Sequence, residues 1–327
     1  MNPLTLATLR LMGDGAFHSG EEVAAALGVT RATIWNAVRE AGELGIEVES
    51  VRGRGYRLDD PPVWLDAAAV AKLLGPRARR FHVEVVEHVD STNSALLKRA
   101  EAGGAPGTVL AAELQSAGRG RRGRSWASGL GGALTFSLLW RFEQGAAALT
   151  GLSLVVGIAV ARALASLGAA DVRLKWPNDI LHQGRKLGGI LIEVRGDALG
   201  PTAAVIGIGL NVRMPPALEA RIDQPVTDAV QAGAGGDRNR LLAAVLQELA
   251  ELLDAFARDG FAPLEPEYRR WHALQDAPVL VNLGDGKPVR GHARGTADDG
   301  ALIVETSEGV RRFHGGEVSL RAVSGEG

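Results

Sequence analysis

Residues 118–126, GRGRRGRSW, are the part of this sequence whose residue types point most directly to chemistry. Four of the nine are arginines, and no acidic residue occurs between Glu113 and Glu143 to balance their charge. The planar arginine fork binds carboxylates and phosphates through paired N–H donors. The interleaved glycines leave the backbone free to fold over a ligand and to exclude water once the ligand arrives. We therefore expect this segment, the arginine loop, to contact an anion.

Four interpretations of the arginine loop compete. Its glycines spell G-x-G-x-x-G, the pattern of a dinucleotide-binding turn, but that turn must open a helix, and here further glycines and a strand follow. Nucleic-acid binding needs charge spread over several phosphates, whereas this charge is confined to one loop. A run of surface charge can also be no more than a solvated loop. The fourth interpretation, a loop that grips one small anionic ligand, gains from a second motif.

The second motif is KWPND at residues 175–179, a compact polar set at the end of a predicted strand. Lys175 begins it, Asn178 and Asp179 stand at its turn, and Lys186 opens the next strand. Two lysines at a strand end, facing the arginine loop, would hold a carboxylate and a nucleoside phosphate together. The two motifs in combination therefore favour a site for a small anionic ligand.

Composition describes a chain of two or three domains without strong overall charge. Its 327 residues exceed one domain of ordinary size. A net charge of −2 and a sequence pI of about 6.4 argue against binding to polyanions through bulk charge. The absence of cysteine excludes disulfides, thiolate nucleophiles and cysteine-based metal sites, and it fits a cytoplasmic location.

No segment is predicted to direct the chain to a membrane. Residues 1–17 lack the basic and apolar regions of a secretory signal. Residues 149–168 are strongly apolar, but Arg162 interrupts them and leaves an uncharged run that is too short to span a bilayer. We expect a helix there that is buried on most of its surface, and no membrane partner.

Residues 1–62 are predicted to form a winged helix-turn-helix domain. Ser19 and Glu22 have the spacing of a capping box, and Thr30 can cap the next helix after a tight turn. Two short helices joined in this way have helix-turn-helix spacing. Two predicted strands of alternating apolar and polar residues then flank residues 52–55, a basic tip that contains glycine. These strands and their tip would form the wing.

The remainder is predicted to form two further domains, a central one at 63–274 and a C-terminal one at 275–327. The central domain combines predicted strands and helices in an α+β arrangement. Its main predicted strands lie at residues 81–89, 108–115, 132–140, 186–194 and 203–212, and its closing helix at 241–260. The C-terminal residues read as short alternating strands with glycine turns, which predicts a small β-barrel, SH3-like by size.

The order and separation of the motifs closely resemble the biotin–protein ligases. GRGRRGRSW, KWPND and RKLGGILIE follow one another along the chain, and STN at 91–93 with Gln115 precedes them. The winged N-terminal domain and the small C-terminal barrel resemble the bifunctional bacterial subtype, which is also the biotin operon repressor. The resemblance covers nearly the whole chain. It implies an α+β fold with an N-terminal winged helix-turn-helix, a central mixed-sheet biotin ligase catalytic domain and a C-terminal SH3-like β-barrel.

The resemblance assigns roles to the positions that match the family motifs. Lys186 would be the catalytic cation that meets the biotin carboxylate and the charge developing on phosphorus. Arg119 and Arg121, also assigned as catalytic, would close with Gly120 over biotin and the adenylate phosphate. Asp179 would take the proton of the acceptor lysine, and Trp126 would stack on adenine. The biotin-binding set would be Ser91, Thr92, Asn93, Gln115, Arg119, Gly120, Arg121, Lys186, Gly188, Gly189 and Leu191. The ATP and adenylate set would be Arg121, Arg124, Trp126, Lys175, Asn178, Asp179 and Asn211.

The implied activity is ATP-dependent ligation of biotin to a protein. Biotin and ATP would give biotinyl-5′-adenylate, and the biotinyl group would pass to a lysine of the biotin carboxyl carrier domain of acetyl-CoA carboxylase or a similar carboxylase. Mg²⁺ would be bound mainly through nucleotide phosphates, and no protein metal ligand is assigned, since the sequence shows no dense carboxylate cluster. The alternatives are a regulator that senses biotin or its adenylate without catalysis, and a lipoate-type ligase, against which STN with Gln115 argues.

The helix-turn-helix motif predicts DNA binding, although the net charge of this domain does not favour it. Residues 1–60 hold six arginines and nine acids, a net charge of −3, although DNA-binding domains usually are basic. Trp35 is expected to face the core. The residues expected to contact the grooves and phosphates of DNA are Arg31, Thr33, Asn36 and Arg39 on the second helix and Arg52 and Arg54 on the wing. We expect a homodimer that forms on ligand binding and binds biotin operator DNA; the alternative is a ligase whose winged domain no longer represses.

Overall fold

The computed structural model describes residues 2–127, 129–196, 200–220, 222–283, 287–315 and 319–322. Its α-helices, in chain order, are α1 (Pro3–Leu11), α2 (Gly20–Leu27), α3 (Arg31–Glu43), α4 (Ala67–Leu74), α5 (Thr92–Glu101), α6 (Leu152–Ser166), α7 (Pro216–Glu219), α8 (Ala229–Ala232), α9 (Arg238–Asp259) and α10 (Glu265–Trp271). Its strands are β1 (Glu49–Val51), β2 (Gly55–Arg57), β3 (His82–Val89), β4 (Thr108–Gln115), β5 (Ala133–Phe142), β6 (Val172–Lys175), β7 (Asp179–His182), β8 (Arg185–Gly196), β9 (Thr202–Asn211), β10 (Pro278–Asn282), β11 (Val289–Thr296), β12 (Leu302–Thr306), β13 (Gly309–Phe313) and β14 (Ser319–Ala322).

The N-terminal helices begin at the capping residues that the sequence predicts. The Ser19 hydroxyl accepts the N–H of Glu22 at 3.1 Å, and the Glu22 carboxylate accepts the N–H of Ser19 at 2.8 Å, so the capping box is confirmed. Thr30 caps α3 by accepting the N–H of Thr33. β1 and β2 pair antiparallel after α3, and this hairpin completes the winged helix-turn-helix.

Seven strands form the central mixed sheet, in the order β3-β4-β5-β9-β8-β7-β6. β3 and β4 run parallel, and the other neighbouring pairs run antiparallel. Side chains alternate between the two faces of the sheet. Val109 and Leu138 therefore join the large core beneath α6 and α9, whereas Leu110 and Leu139 pack beneath α5. The same alternation places Ser137 on the α5 face.

The strongly apolar segment of the central domain is a core helix. The segment Ala146–Ser166 is long and apolar enough to cross a membrane, but 67% of its apolar 18-residue window is buried inside the molecule. α6 supplies most of it and packs against both the sheet and α9. Arg162 stands at its partly exposed edge and pairs with Glu248 and Glu267. The prediction of a helix buried on most of its surface is confirmed.

A short strand that the sequence did not predict begins at Asp179, the last residue of the KWPND motif. The prediction placed only a turn at this point, but residues 179–182 form β7 between β6 and β8. Four residues are too few for an alternating pattern to be recognised, and pairing on both sides holds them extended instead. β7 matters for the site because it places Asp179 directly opposite Gly189 of β8.

The C-terminal strands form a five-stranded antiparallel sheet, in the order β13-β12-β11-β10-β14. Its buried side chains Val281 and Val304 belong to the same hydrophobic cluster as the core of the central domain. The indole N–H of Trp176 donates to the carbonyl of Gly300 at 3.1 Å across the junction. The predicted barrel residues 284–286, 316–318 and 323–327 lie outside the described residues.

A fully buried ion pair fastens the segment between the N-terminal and central domains. Arg238, at the start of α9, and Glu113 of β4 are both 0% exposed and their charged groups lie 2.6 Å apart. Arg238 also donates to the carbonyl of Val63, and Glu113 accepts the N–H of Leu65 at 2.7 Å. Buried charges are tolerated only when such partners satisfy them, so this pair fixes the path of residues 63–65.

The core of the N-terminal domain is completed by side chains from the central domain. Leu6, Leu9 and Met12 of the N-terminal domain are 0% exposed. Leu114 of β4 and Leu130, which follows the arginine loop, are buried in the same cluster. The winged domain therefore shares a hydrophobic core with the segments that flank the candidate site.

Candidate active site

A cavity of about 1080 Å³ lies on the α5 face of the central sheet, beneath the arginine loop. The sequence-predicted residues that line it are Ser91, Thr92, Asn93, Gln115, Arg119, Gly120, Arg121, Arg124, Trp126, Lys175, Asn178, Asp179, Lys186, Gly189, Leu191 and Asn211. The structure thus brings the separate motifs to one place. The role of each residue within the cavity remains a prediction.

The arginine loop is a small hairpin in this structure. The N–H of Gly120 donates to the carbonyl of Arg124 at 2.7 Å, and the N–H of Trp126 donates to the carbonyl of Gly118 at 2.8 Å. Arg122 and Gly123 form its tip with φ of 59° and 70°, the left-handed values of a two-residue hairpin turn. This turn carries the loop over the cavity, which residues 119–127 line.

Two arginines of the loop contact different ends of the cavity. The guanidinium of Arg121 donates to Asn178 Oδ1 at 3.0 Å, at the KWPND turn. Burial lowers the pKa of Arg121, and the nearby Asp179 carboxylate opposes that shift. Arg119 forms an ion pair with Glu193, which lies near the far end of β8. The loop is therefore held at both ends of the cavity.

Lys186 and Asp179 form a close ion pair inside the cavity. Lys186 Nζ lies 2.7 Å from Asp179 Oδ1, and the side chains are 18% and 23% exposed. A bulge in β8 brings the lysine to this side: Ile180 pairs with Gly188 and Leu181 with Lys186, so Leu187 is an extra residue in the ladder. Bulges re-aim side chains in this way. The charge of Lys186 is thus directed into the cavity.

Hydroxyl and amide groups cluster at the opposite end of the cavity, beside the N-terminus of α5. The Gln115 side-chain oxygen accepts the backbone N–H of Thr92 at 2.7 Å and lies 3.1 Å from its hydroxyl. Asn93 Oδ1 accepts the hydroxyl of Ser137 at 2.6 Å, and its Nδ2 donates to the carbonyl of Leu191 at 3.1 Å. Ser91 caps α5. A ureido ring, with two N–H donors and one oxygen acceptor, is complementary to such a set.

Two glycines of β9 that sequence analysis missed keep the floor of the cavity open. A Cβ on Gly207 would lie 2.1 Å from Asn93 Oδ1, and a Cβ on Gly209 would lie 2.6 Å from the ring of Trp126. The indole of Trp126 therefore rests on the β9 backbone, and it also approaches Gly189. The glycine alternation of the Gly-Ile-Gly stretch at 207–209 was a visible signal for a close approach to a strand.

Gly188 does not line the cavity, which corrects its assignment to the biotin channel. A Cβ at Gly188 would meet the carbonyl of Gly209 and the side chain of Leu210 at 2.6 Å, which places it on the core side of β8. The bulge at Leu187 turns the strand so that Gly189 and Leu191 face the ligand side instead. Gly188 is needed for close packing of the two strands, and it does not contact ligand space.

Asn211 lines the cavity, but its amide is already used. Its Nδ2 donates to the carbonyl of Lys186 at 3.3 Å and to the carbonyl of Thr227 at 3.0 Å, and the residue is 3% exposed. The N–H of Thr227 donates back to the carbonyl of Lys186 at 2.9 Å. Asn211 therefore holds the backbone at Lys186 in position.

Replacing Gly207 by alanine is expected to weaken biotin binding by about 10- to 100-fold. The added Cβ overlaps Asn93 Oδ1, and overpacking of this kind costs about 1–3 kcal/mol. Titration calorimetry with biotin measures the effect. Gly42→Ala, where a Cβ meets nothing within 4 Å, is the control. Biotin affinity within twofold of wild type in the Gly207 variant would contradict the assignment of Asn93.

The outer face of α3 presents the side chains proposed for DNA contact, with one difference from prediction. Arg31, Asn36 and Arg39 are exposed, and the half-buried Thr33 has its hydroxyl 2.7 Å from that of Thr30 at the helix cap. Trp35, expected to face the core, is 55% exposed. Ile34, Ala37 and Ala41 fill the inner face of α3 instead, so the helical period leaves Trp35 outside.

The wing arginines stand at the tip of the β1–β2 hairpin. Arg52 is exposed, and the guanidinium of Arg54 lies 3.9 Å from the centre of the Phe17 ring. Glu40, whose charge would oppose DNA binding, instead accepts hydrogen bonds from the N–H of Asn2 and the hydroxyl of Thr5. The acidic net charge of the domain is therefore partly directed away from the exposed face of α3.

Comparison with known proteins finds relatives along nearly the whole chain. Three family descriptions match in succession: HTH domain at residues 4–57, Biotin/lipoate A/B protein ligase family at 85–211 and Biotin protein ligase C terminal domain at 277–321. The bifunctional ligase/repressor BirA of Escherichia coli is 39% identical over 98% of both chains. The biotin–[acetyl-CoA-carboxylase] ligase of Mycobacterium tuberculosis is 37% identical over 72% of this chain and 87% of its own.

A solved structure agrees with the fold of about three quarters of the chain. The biotin protein ligase of Aquifex aeolicus, solved in complex with biotin and ATP, superposes with a TM-score of 0.63 at 31% identity, over 74% of this chain and 99% of its own. The relatives that match the chain from end to end also carry the N-terminal domain in their alignment. With a helix-turn-helix domain, a ligase domain and the ligase C-terminal domain in one chain, this protein belongs to the biotin protein ligase family, in its bifunctional ligase/repressor subtype.

Proposed function

We propose that the cavity beneath the arginine loop is where this ligase joins biotin to ATP. The products would be biotinyl-5′-adenylate and pyrophosphate, and the biotinyl group would then pass to a lysine of a biotin carboxyl carrier domain, such as that of acetyl-CoA carboxylase. The observation that carries the proposal is the Lys186–Asp179 pair, directed by a β-bulge into a cavity that the arginine loop covers.

Biotin would lie with its ureido ring at the hydroxyl and amide end and its carboxylate at Lys186. Thr92, Asn93 and Gln115 supply acceptors and donors at one end, and Gly189 and Leu191 of β8 line the path between the ends. ATP would occupy the KWPND end, where Lys175, Asn178 and Arg121 converge. This orientation brings the two reacting groups together beside Lys186.

The first step joins two anions, so positive charge must lie where they meet. A carboxylate oxygen of biotin attacks the α-phosphorus of ATP, a P–O bond forms, and the bond to the leaving pyrophosphate breaks. Lys186 would exchange its contact with Asp179 for the carboxylate and the phosphoryl oxygens. Arg121, already desolvated, would contact the same oxygens through its planar fork.

The second step is attack by the acceptor lysine on the mixed anhydride. The amine nitrogen bonds to the biotinyl carbonyl carbon, AMP leaves, and one proton must be removed from nitrogen. Asp179, released from Lys186 by the adenylate phosphate, is proposed to accept that proton. Its side chain is 23% exposed, so an incoming lysine can reach it.

Mg²⁺ and adenine complete the proposed nucleotide complex. No group of three or more His, Asp or Glu side chains suited to a metal occurs among the described residues, so Mg²⁺ is proposed to bind mainly through the nucleotide phosphates. Trp126 is proposed to stack on adenine, which requires its outer face, since Gly209 and Gly189 lie against the other.

The repressor function is proposed to depend on a homodimer that forms when ligand binds. The exposed arginines of α3 would enter the major groove of operator DNA, and Arg52 and Arg54 of the wing would contact phosphates or the minor groove. A dimer doubles this small basic surface and matches an inverted repeat. We also propose the domain limits 1–62, 63–274 and 275–327, and a cytoplasmic location.

Intact-mass analysis tests the ligase proposal. The protein is mixed with biotin, Mg²⁺-ATP and a carboxyl-carrier domain, and the carrier is expected to gain the mass of one biotinyl group. Binding of biotin without any gain on the carrier would favour the alternative, a sensor of biotin or its adenylate without catalysis. Sedimentation of a monomer at saturating biotin and ATP would count against the dimer.

A further inference from the structure

Glu193 is a carboxylate beside the cavity, in contact with two residues that line it, and the proposed chemistry assigns it no role. It lies on β8 two residues beyond Leu191, on the same face, and its side chain is 23% exposed. Its Oε2 accepts hydrogen bonds from two residues of the site, the guanidinium of Arg119 and Nδ2 of Asn93 at 3.0 Å. Glu193 therefore joins the arginine loop to the ureido-binding end.

A continuous chain of hydrogen bonds leads to Glu193 from the ureido-binding end. The Ser137 hydroxyl, 0% exposed, lies 2.7 Å from Thr92 Oγ1 and 2.6 Å from Asn93 Oδ1. Asn93 Nδ2 then donates to Glu193. Each hydroxyl has one hydrogen to donate, so a continuous chain runs from Thr92 through Ser137, Asn93 and Glu193 to Arg119, with Thr92 donating to Ser137 and Ser137 to Asn93. Gln115 joins this chain by accepting the backbone N–H of Thr92. A hydrogen bond from biotin to the Thr92 end would therefore polarise the groups at the other end.

Arg119 and Arg121 are held at well-separated points along β8. Asp179 pairs with Gly189 on β8, and Glu193 stands four residues further along the strand, roughly 13 Å at the usual rise. Arg121 holds the loop at the Asp179 end through Asn178, and Arg119 holds it at the other end through Glu193. The two arginines therefore hold different parts of the loop, although the family motif assigns the same role to both.

We propose that Glu193 is a positioning residue that keeps the arginine loop closed over the bound adenylate by holding Arg119 and Asn93. This inference rests on the proposed ligase function and deepens it. Arg119 acts on the position of the loop, and Arg121 acts on the phosphate. The contact between Glu193 and Arg119 would control how long the adenylate is retained. Retention matters because an activated intermediate that escapes is hydrolysed before a carrier lysine arrives.

The test separates adenylate formation from adenylate release. Rapid-quench single turnovers with labelled biotin and ATP measure formation, and a chase with unlabelled biotin measures release. Glu193→Gln keeps an acceptor for Asn93 and removes the charge that holds Arg119. We expect release to become about 10-fold faster and formation to fall by less than about threefold; a tenfold change corresponds to about 1.4 kcal/mol.

A double-mutant cycle and a matched control complete this test. Arg119→Gln is expected to accelerate release to the same degree, and the double variant no further, because both remove one interaction. Glu101→Gln, which breaks an exposed pair with Arg195 outside the cavity, is expected to leave both rates at wild-type values. Wild-type release from Glu193→Gln, additive effects in the double variant, or loss of formation would each overturn the inference. A wild-type protein that forms no adenylate would instead refute the ligase proposal.

A separate observation concerns the exposed face of α3. Trp35 is a large aromatic side chain that is 55% exposed, and the guanidinium of Arg39, one turn later, lies 5.3 Å from the centre of its ring. Arg31 lies one turn earlier on the same face, and its ionic contact with Glu21 of α2 is a loose, exposed one of 3.9 Å. Glu40 is bound to α1, so the surface around Trp35 favours a polyanion.

We infer that Trp35 reads operator sequence by apolar contact in the major groove. In that groove the apolar group that distinguishes one base is the thymine methyl. Arg31 and Arg39, on either side along α3, would hold the helix through neighbouring phosphates or guanines. The inference rests on the proposed repressor function and adds a specificity-determining residue to it.

Selection from a random DNA pool tests Trp35. Adenylate-loaded wild type is expected to prefer thymine at one position in each half-site, and Trp35→Ala is expected to lose that preference and about 10-fold in affinity. Replacing that thymine by uracil should weaken wild type and leave Trp35→Ala unaffected. Arg52→Ala, by contrast, should weaken all sequences equally and reduce the salt dependence. An unchanged consensus and affinity for Trp35→Ala would overturn the inference, whereas a wild type that selects no sequence would refute the repressor proposal.

Discussion

Replacing Lys186 by alanine is expected to reduce adenylate synthesis by at least about 100-fold, the loss typical when one positioned charge-stabilising group is removed. The amine is directed into the cavity by the β8 bulge and is held 2.7 Å from Asp179. Without it, a carboxylate must approach a phosphate beside an unpaired aspartate. Both the lost attraction and the new repulsion raise the barrier to this step.

Pyrophosphate release in the absence of a carrier domain measures this effect. Lys72→Ala, an exposed lysine of α4, is the control for the loss of a positive charge and should release pyrophosphate at the wild-type rate. Lys186→Arg keeps the charge but replaces a compact ammonium by a wide planar group, and we expect only partial recovery. Near-normal pyrophosphate release by Lys186→Ala would refute the assignment.

The sequence was most informative where the determinants of structure are local. The capping box of Ser19 and Glu22 and the cap at Thr30 involve residues three positions apart, and both form as predicted. The bounds of β4 agree with the predicted strand at 108–115 for a similar reason, since one apolar run lies between turn signals. Local hydrogen bonds and hydrophobic periodicity can be predicted directly from residues that are close together in the sequence.

The sequence was least informative where residues distant in the chain determine each other's roles. Glu193 looks like one more charge near a strand end, and only the fold brings Arg119 to it across 74 positions. Gly188 and Gly189 are equivalent in the sequence, but the bulge at Leu187 sends one to the core and the other to the cavity. A one-residue irregularity in pairing reverses which face a side chain occupies, and no local pattern revealed it.

The same limit applies to the exposed faces of helices. Trp35, expected to face the core, is exposed instead. Ile34, Ala37 and Ala41 already fill the space between α3 and its neighbours, so the next position points outward. The helical period of those three residues is sufficient to predict that Trp35 points outward.

Replacing Arg238 by alanine is expected to lower the free energy of unfolding by about 3–5 kcal/mol, which is among the largest effects for a single substitution. The change leaves the Glu113 carboxyl group 0% exposed and without its ionic partner, and it also removes two donors from the carbonyl of Val63. Arg238 and Glu113 are 125 positions apart, so the pair forms only when the central domain folds.

Urea denaturation followed by circular dichroism measures the loss. Arg240→Ala, two positions later on α9 and exposed, should stay within about 0.5 kcal/mol of wild type. A double variant, Arg238→Met with Glu113→Gln, keeps an acceptor for the Leu65 N–H and removes both charges. It is expected to regain most of the stability, because the cost arises from a buried charge left alone. Stability of Arg238→Ala within 1 kcal/mol of wild type would show that residues 63–65 are held by packing, and that the ion pair contributes little to fastening the winged domain to the ligase domain.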